Sequence, residues 1–193
     1  MRLDPRWALL ALPLALAACA TEPTSVSAKG RVMPKTGLVW GRDLANGLGL
    51  NEWELCSELG GYDCIGEAHL VTLGGVEPTT LGIDQPLPNA SVSAPIAIDR
   101  VASSACATRW ARDAAGPAVV FGAVLEADTL PKRKAVAEQL VQRVLGREAT
   151  ADEVKNLADE LYGSVSAVSK DLPRDWAVAA CVVVSTSTEA LFY

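Results

Sequence analysis

Five cysteines and a single histidine concentrate most of the reactive chemistry in this chain. His69 is the only imidazole, so a Ser-His-Asp or Cys-His relay, and with it a hydrolase, would have to use it as the base. No Gly-x-Ser-x-Gly elbow accompanies it. A lone histidine of this kind reads as a packed or surface residue, and no catalytic residue is assigned. Cys56, Cys64 and His69 could offer zinc three ligands, with Cys106 or an acid as the fourth. The Cys-x7-Cys spacing is looser than that of a structural zinc knuckle, so no metal and no other cofactor is expected. Glu52, Glu54, Glu58, Asp63 and Glu67 gather around Gly60-Gly61, yet they do not follow a calcium-loop pattern and read as a solvated acidic face. Gly74-Gly75 lacks the following Gly-Lys-Ser/Thr of a phosphate loop and reads as a turn. Trp40, Trp53, Trp110 and Trp176 are expected in the core or at its rim. Any of them left bare would mark a docking surface, because aromatic residues are favoured interface anchors.

The beginning of the chain supplies an address. Arg2 and Arg6, diluted by Asp4, precede an unbroken apolar run from Trp7 to Ala18. That run is too short to span a bilayer, which takes roughly 20 helical residues. It closes on Leu16-Ala17-Ala18-Cys19, which resembles the lipobox of bacterial lipoproteins. The resemblance implies cleavage before Cys19, leaving residues 1–18 as a signal peptide, and transfer of diacylglycerol to the Cys19 thiol. The small residues before the cut suit a narrow protease site. Several acyl chains on one terminus anchor stably, since each buried methylene contributes about 0.8 kcal/mol. In similarity to lipoproteins of Gram-negative bacteria, Ala20 in place of Asp points to the outer membrane. The alternative is an ordinary secretory signal with an incidental Cys19.

An exported address changes how the remaining cysteines read. With Cys19 lipidated, Cys56, Cys64, Cys106 and Cys181 are left, an even number in an oxidising compartment. Three pairings are possible. Cys56 and Cys64 flank the Gly60-Gly61 turn, which favours a local bridge and leaves Cys106–Cys181 as a long-range staple. Buried free thiols are the alternative.

These groups must be carried by a fold. The chain has 193 residues, 50% of them hydrophobic, and a formal net charge of -6. Without residues 1–18 it keeps 15 basic against 22 acidic side chains. Such a surface repels a phosphate backbone, so no nucleic-acid partner is expected. A polybasic hold on anionic lipid is equally unsupported. Residues 19–36 comprise the lipidated cysteine and a Ser-, Thr- and Pro-rich stretch expected to be a flexible tether. Residues 37–193 are expected to form one mainly α domain with long ordered loops.

Within that domain Asn51 and Glu54 form a capping box that should open a helix ending at Gly60-Gly61. Residues 74–94 hold Pro78, Pro86 and Pro88 and read as an ordered loop. Pro95, after the capping Ser93, should start a helix to about Arg112, with Ile98, Val101, Ala105, Cys106 and Trp110 near one face. Leu130 to Leu145 has helical spacing at Val136, Leu140, Val144 and Leu145, and Gly146 should end it. Thr150 and Glu153 form a second capping box, ahead of a stripe at Val154, Leu157, Ala158, Leu161, Val165 and Val168. Pro173 begins a last helix with Trp176, Ala179, Ala180, Val183 and Val184. Its Cys181-Val-Val-Val run has strand propensity, but the initiating proline favours helix.

Arg143-Val-Leu-Gly-Arg147-Glu-Ala-Thr150-Ala-Asp-Glu153, with the closing Glu189-Ala-Leu-Phe-Tyr193, resembles the helical module of exported cytochrome-associated proteins of planctomycetes and myxobacteria. The similarity covers about the last 65 residues. Cys56 through Cys64, with His69 and Gly74-Gly75, is similar to uncharacterised myxobacterial lipoproteins. Neither resemblance implies catalytic residues. The chain has no Cys-x-x-Cys-His, so covalent haem is not expected. The expected function is therefore a non-enzymatic, lipid-anchored component that binds an envelope protein. The alternative is an accessory subunit of an exported redox or cytochrome system.

Overall fold

The structure, a computed structural model, describes residues 32–86 and 91–193. Cys19 and residues 1–31 of the signal and tether lie outside the described residues.

The architecture is mainly α, as the periodicity implied. Helix α1 (Gly37–Leu48) leads through a single 3-10 turn (Glu52–Glu54) into a small hairpin of β1 (Ser57–Glu58) and β2 (Tyr62–Asp63). A π-helical turn at Cys64–Ala68 and an irregular stretch as far as Pro86 follow; Pro88 of the expected loop lies outside the described residues. The long α2 (Ala94–Ala115), the short α3 (Gly122–Glu126) and α4 (Leu130–Leu145) come next. A continuous helical stretch is made of α5 (Ala151–Lys155), a π-helical turn (Asn156–Glu160) and α6 (Leu161–Ser166). Helices α7 (Leu172–Ser185) and α8 (Thr188–Leu191) close the chain.

Two helix pairings build the core: α2 lies along α7, and α1 packs against α4. Cys106 and Cys181, both fully buried, join the first pair covalently across a sequence separation of 75. Val101, Ala105, Val136, Leu140, Trp176, Ala180 and Val184 fill the space between the helices. Cys181-Val-Val-Val is helical in place: Cys181 and Val184 are buried together, the spacing of one helix face rather than of a strand. Ala179 and Val183 turn away from that core.

Helix α1 is absent from the sequence expectations. Three glycines within its 12 residues disfavour a helix on propensity. Packing requires them: a Cβ at Gly47 would lie 2.8 Å from the Arg143 carbonyl oxygen, so α1 and α4 meet backbone to backbone. The end of α1 is closed by Gly49 in the left-handed region (φ 62). Arg143 Nε donates to the Gly47 carbonyl at 2.7 Å, and Arg109 Nη1 reaches the carbonyls of Leu48 and Gly49.

The helix expected after Asn51 does not extend. The capping box forms, with the Asn51 N–H donating to Glu54 at 2.9 Å, but it holds one 3-10 turn only. The chain then reverses through Gly60 (φ 89) so that Ser57 pairs with Asp63 and Glu58 with Tyr62. A capping box specifies how a helical turn begins, not how many turns follow. Here the Cys56–Cys64 bridge closes the hairpin instead.

Elsewhere the corrections are smaller. Pro95 is in the first turn of α2, but the Ser93 hydroxyl makes no capping bond and instead meets Ser91 Oγ at 2.8 Å. Val168 lies beyond the end of α6 and is 85% exposed, so the apolar stripe stops at Val165. Residues 32–36, expected to belong to the tether, are bound: the Lys35 N–H donates to the Leu191 carbonyl and the Tyr193 N–H to the Met33 carbonyl. The C-terminal Phe192 thereby bridges Pro34.

The π-helical turn at Asn156–Glu160 has a visible cause. Trp176 Nε1 donates to the Leu157 carbonyl at 2.8 Å and Arg133 Nε to the Ala158 carbonyl at 3.0 Å. Side chains of α7 and α4 thus satisfy carbonyls that the wider turn turns outward. Arg133 also stacks on the Tyr162 ring, 3.5 Å from its centroid, and Asp128 ties the two together by accepting from both. Burial, and then that bond to Asp128, raises the Tyr162 phenol above its ordinary value.

Candidate functional site

The sequence candidates converge on one lobe, residues 51–69, built by the 3-10 turn, the hairpin and the π-helical turn after it. Its central feature is the Cys56–Cys64 disulfide, Cα to Cα 5.5 Å. Both cysteines are buried, in one cluster with Leu55 and Ile65, whose side chains meet α1 at Gly41. Oxidised, they present no thiolate. Cys56, Cys64 and His69 are therefore not a metal centre in this state.

His69 is engaged elsewhere. Its Nε2 lies 3.0 Å from Glu58 Oε1, the imidazole N–H donating, in a partly buried pair. Arg100 Nε approaches the same carboxylate oxygen at 3.1 Å, bringing α2 to the hairpin. No serine or free cysteine is hydrogen-bonded to His69 among the described residues, so the geometry does not assemble a nucleophilic relay.

The acidic residues are not a uniformly solvated face. Glu52 pairs with Arg42 at 3.3 Å, and Glu54 holds the capping box while pairing with Arg112. Asp63 accepts from the backbone N–H groups of Ile65 and Gly66, at 3.2 and 2.7 Å. Glu67 accepts from the Asp63 N–H at 2.8 Å. Each carboxylate is committed to a separate partner, so they do not converge on a calcium-sized centre. Gly74 has φ 82, and the Gly74 N–H bonds the Val71 carbonyl as in the turn expected of Gly74-Gly75.

The four tryptophans divide. Trp176 and Trp40 are buried, and the Trp40 indole donates to the Ser185 carbonyl at 3.0 Å. Trp110 is half-buried, tilted against Phe121 with ring centroids 5.6 Å apart. Trp53 is the exception at 73% exposed. Leu59, at the hairpin turn, is 88% exposed, and Tyr62 of β2 is 56% exposed. Three large apolar side chains thus stand in solvent on this lobe, Leu59 and Tyr62 within the disulfide-closed loop and Trp53 on the 3-10 turn before it. Leu59 and Tyr62 carried no sequence signal beyond the adjacent Gly60-Gly61, because the hairpin itself was not foreseen.

An open apolar groove of about 360 Å³ lies between α2 and α7, lined by Ser103, Ala107, Arg174, Val178, Val182 and Val183 among others. His69 and the cysteines lie outside it. Among the described residues no helix is long and apolar enough to cross a membrane. No family model, no curated protein and no solved structure matches the chain.

Proposed function

We propose that this chain is a bacterial envelope lipoprotein, anchored through Cys19 in the outer membrane, that docks a protein partner without catalysing a reaction. The observation that carries the reading is the exposure of Trp53, Leu59 and Tyr62 on the disulfide-closed lobe. Burying such side chains in a partner's pocket is the usual source of binding energy at an interface. The lobe is rigid before contact: the Cys56–Cys64 bridge, the β1–β2 pairing and the Glu58–Arg100 ion pair fix it on α2. Preorganisation of that kind lowers the ordering cost of binding. His69 supports the same reading, since its ring is hydrogen-bonded to Glu58 within the lobe. The N-terminal apolar run and Leu-Ala-Ala-Cys19 support the anchor.

Site-specific photo-crosslinking in intact membranes tests the docking role. A photoreactive residue at position 53 should give a discrete adduct to one envelope protein. The same residue at 168, equally solvent-facing but on another segment, should not. Matching smears from both positions, or no adduct from 53, would refute docking through this lobe.

A further inference from the structure

We propose that the Cys56–Cys64 disulfide masks a binding site for a divalent transition metal of the zinc class, which opens when a dithiol reduces the bridge. This goes beyond the docking reading and does not depend on it. The donor atoms are already together: the sulfurs of Cys56 and Cys64 and a carboxylate oxygen of Glu58 all lie within 4.8 Å of one another. Zinc holds sulfur at about 2.3 Å and carboxylate oxygen at about 2.0–2.2 Å. Donors on one ion are thus separated by no more than roughly the sum of two such bonds; the two sulfurs, now joined, part to that spacing once the S–S bond is broken, and the Glu58 carboxylate lies close enough to reach the same centre.

The backbone keeps these donors in place without the S–S bond. Ser57 pairs with Asp63 and Glu58 with Tyr62 in the hairpin, and the Cys64 N–H donates to the Cys56 carbonyl at 3.4 Å. Asp63 caps the turn after β2 by accepting from Ile65 and Gly66. The surroundings supply what a metal carboxylate needs. His69 Nε2 bonds Glu58 Oε1 at 3.0 Å, and Arg100 Nε lies 3.1 Å from the same oxygen as an ion pair. His69 is therefore a positioning residue, orienting Glu58 as outer-shell partners orient metal ligands. The Arg100 guanidinium offsets the one negative charge left when two thiolates and a carboxylate surround a dication. The other bridge offers none of this: Cys106 and Cys181 are fully buried between α2 and α7, with the Ser185 hydroxyl as their polar neighbour.

The chemistry balances. A dithiol gives two electrons and two protons: its own sulfurs join, the Cys56–Cys64 bond breaks, and each protein sulfur takes one proton. Metal binding then expels those two protons and leaves both thiolates on the ion. Three protein ligands leave a fourth position for water or for a donor from outside.

The test uses the full chain, reduced anaerobically with a dithiol, freed of reductant and titrated with Co²⁺ as a coloured stand-in for zinc. One Co²⁺ per chain should bind with a sulfur-to-cobalt charge-transfer band and the visible bands of a tetrahedral ion, and equimolar Zn²⁺ should abolish them. The oxidised protein should give no such band. Glu58→Gln and His69→Ala should each weaken binding by about tenfold or more. The Cys56→Ser/Cys64→Ser double variant, its helical circular dichroism intact, should lose the band. A reduced, folded chain without the band would overturn the proposal. So would a band that survives in the double variant, which would place the metal on Cys106 and Cys181. Loss of helical signal on reduction that Zn²⁺ does not restore would overturn it too.

Discussion

Arg109 and Asp113, one turn apart on α2, form a buried ion pair with Arg109 Nη2 2.7 Å from Asp113 Oδ1. The pair joins three parts of the fold. Asp113 accepts from the N–H groups of Val119, Val120 and Phe121, at 2.7 to 2.9 Å, and so shapes the turn leading into α3. Arg109 reaches the carbonyls that close α1. Its Nε is the buried side-chain donor left without a protein partner among the described residues.

The two residues are unequal as targets. Asp113→Ala strands three backbone donors and a buried guanidinium, and should destabilise by about 3–5 kcal/mol, the usual cost of breaking a buried pair from one side. Arg109→Met should cost less, because the Asp113 carboxylate keeps its three amide donors. Urea unfolding of the two variants checks the order. Equal losses would mean that Asp113 acts only through Arg109.

The two disulfides should also differ. In the chain-entropy treatment a bridge stabilises in proportion to the logarithm of the loop that it closes, which gives about 2.5 kcal/mol for a separation of 8 and about 4.5 kcal/mol for one of 75. Paired Cys→Ala changes at 106 and 181 should therefore lower the unfolding midpoint more than those at 56 and 64. The opposite order would assign the lobe a larger share of the stability than its size suggests.

Acid should weaken the junction between α4 and α5. Hydrogen bonds from Arg147, and then from the Thr150 backbone and side chain, hold the Glu153 carboxyl down at about 2 from an ordinary 4.5. Arg147 also lowers Glu189, which it joins across the C-terminal turn. A carboxyl with a depressed folded-state pKa favours folding above its unfolded value, and that contribution is lost as pH falls through the folded one. Denaturant midpoints should thus fall between pH 4.5 and about 2, and Glu153→Gln should flatten that part of the profile. An unchanged slope in the variant would place the acid sensitivity elsewhere.

The π-helical turn should depend on the donors that reach it. Trp176→Phe keeps most of the buried ring but removes the N–H to the Leu157 carbonyl. The expected loss is about 1–3 kcal/mol, the cost of a buried acceptor left unmet. Calorimetric unfolding measures it. No loss would mean that the turn is held by Arg133 alone.

Which parts of this fold the sequence revealed follows from the range of the forces involved. Both bounds of α4 are legible, because apolar spacing and the terminal Gly146 agree locally, and the start of α7 is marked within a residue by Pro173. Both disulfides were legible by proximity and elimination. Helix α1 was not, since Gly37, Gly41 and Gly47 argue against a helix until Leu73, Ile65 and Arg143 are placed against them. The hairpin at Glu58 and Tyr62 was hidden behind a capping box that serves a single turn. Trp53, expected in the core or at its rim like the other tryptophans, is instead exposed, and that exposure depends on everything packed around it. The Glu58–His69–Arg100 cluster was similarly out of reach, because it spans three elements whose approach no local pattern encodes.

The docking role proposed for this lobe requires that the chain be held at a membrane. The mass of the N-terminal peptide from protein extracted out of native membranes measures this directly. The mature chain should start at Cys19 and carry diacylglycerol on its sulfur. A terminus at Met1, or a Cys19 bearing no fatty acid, would contradict it.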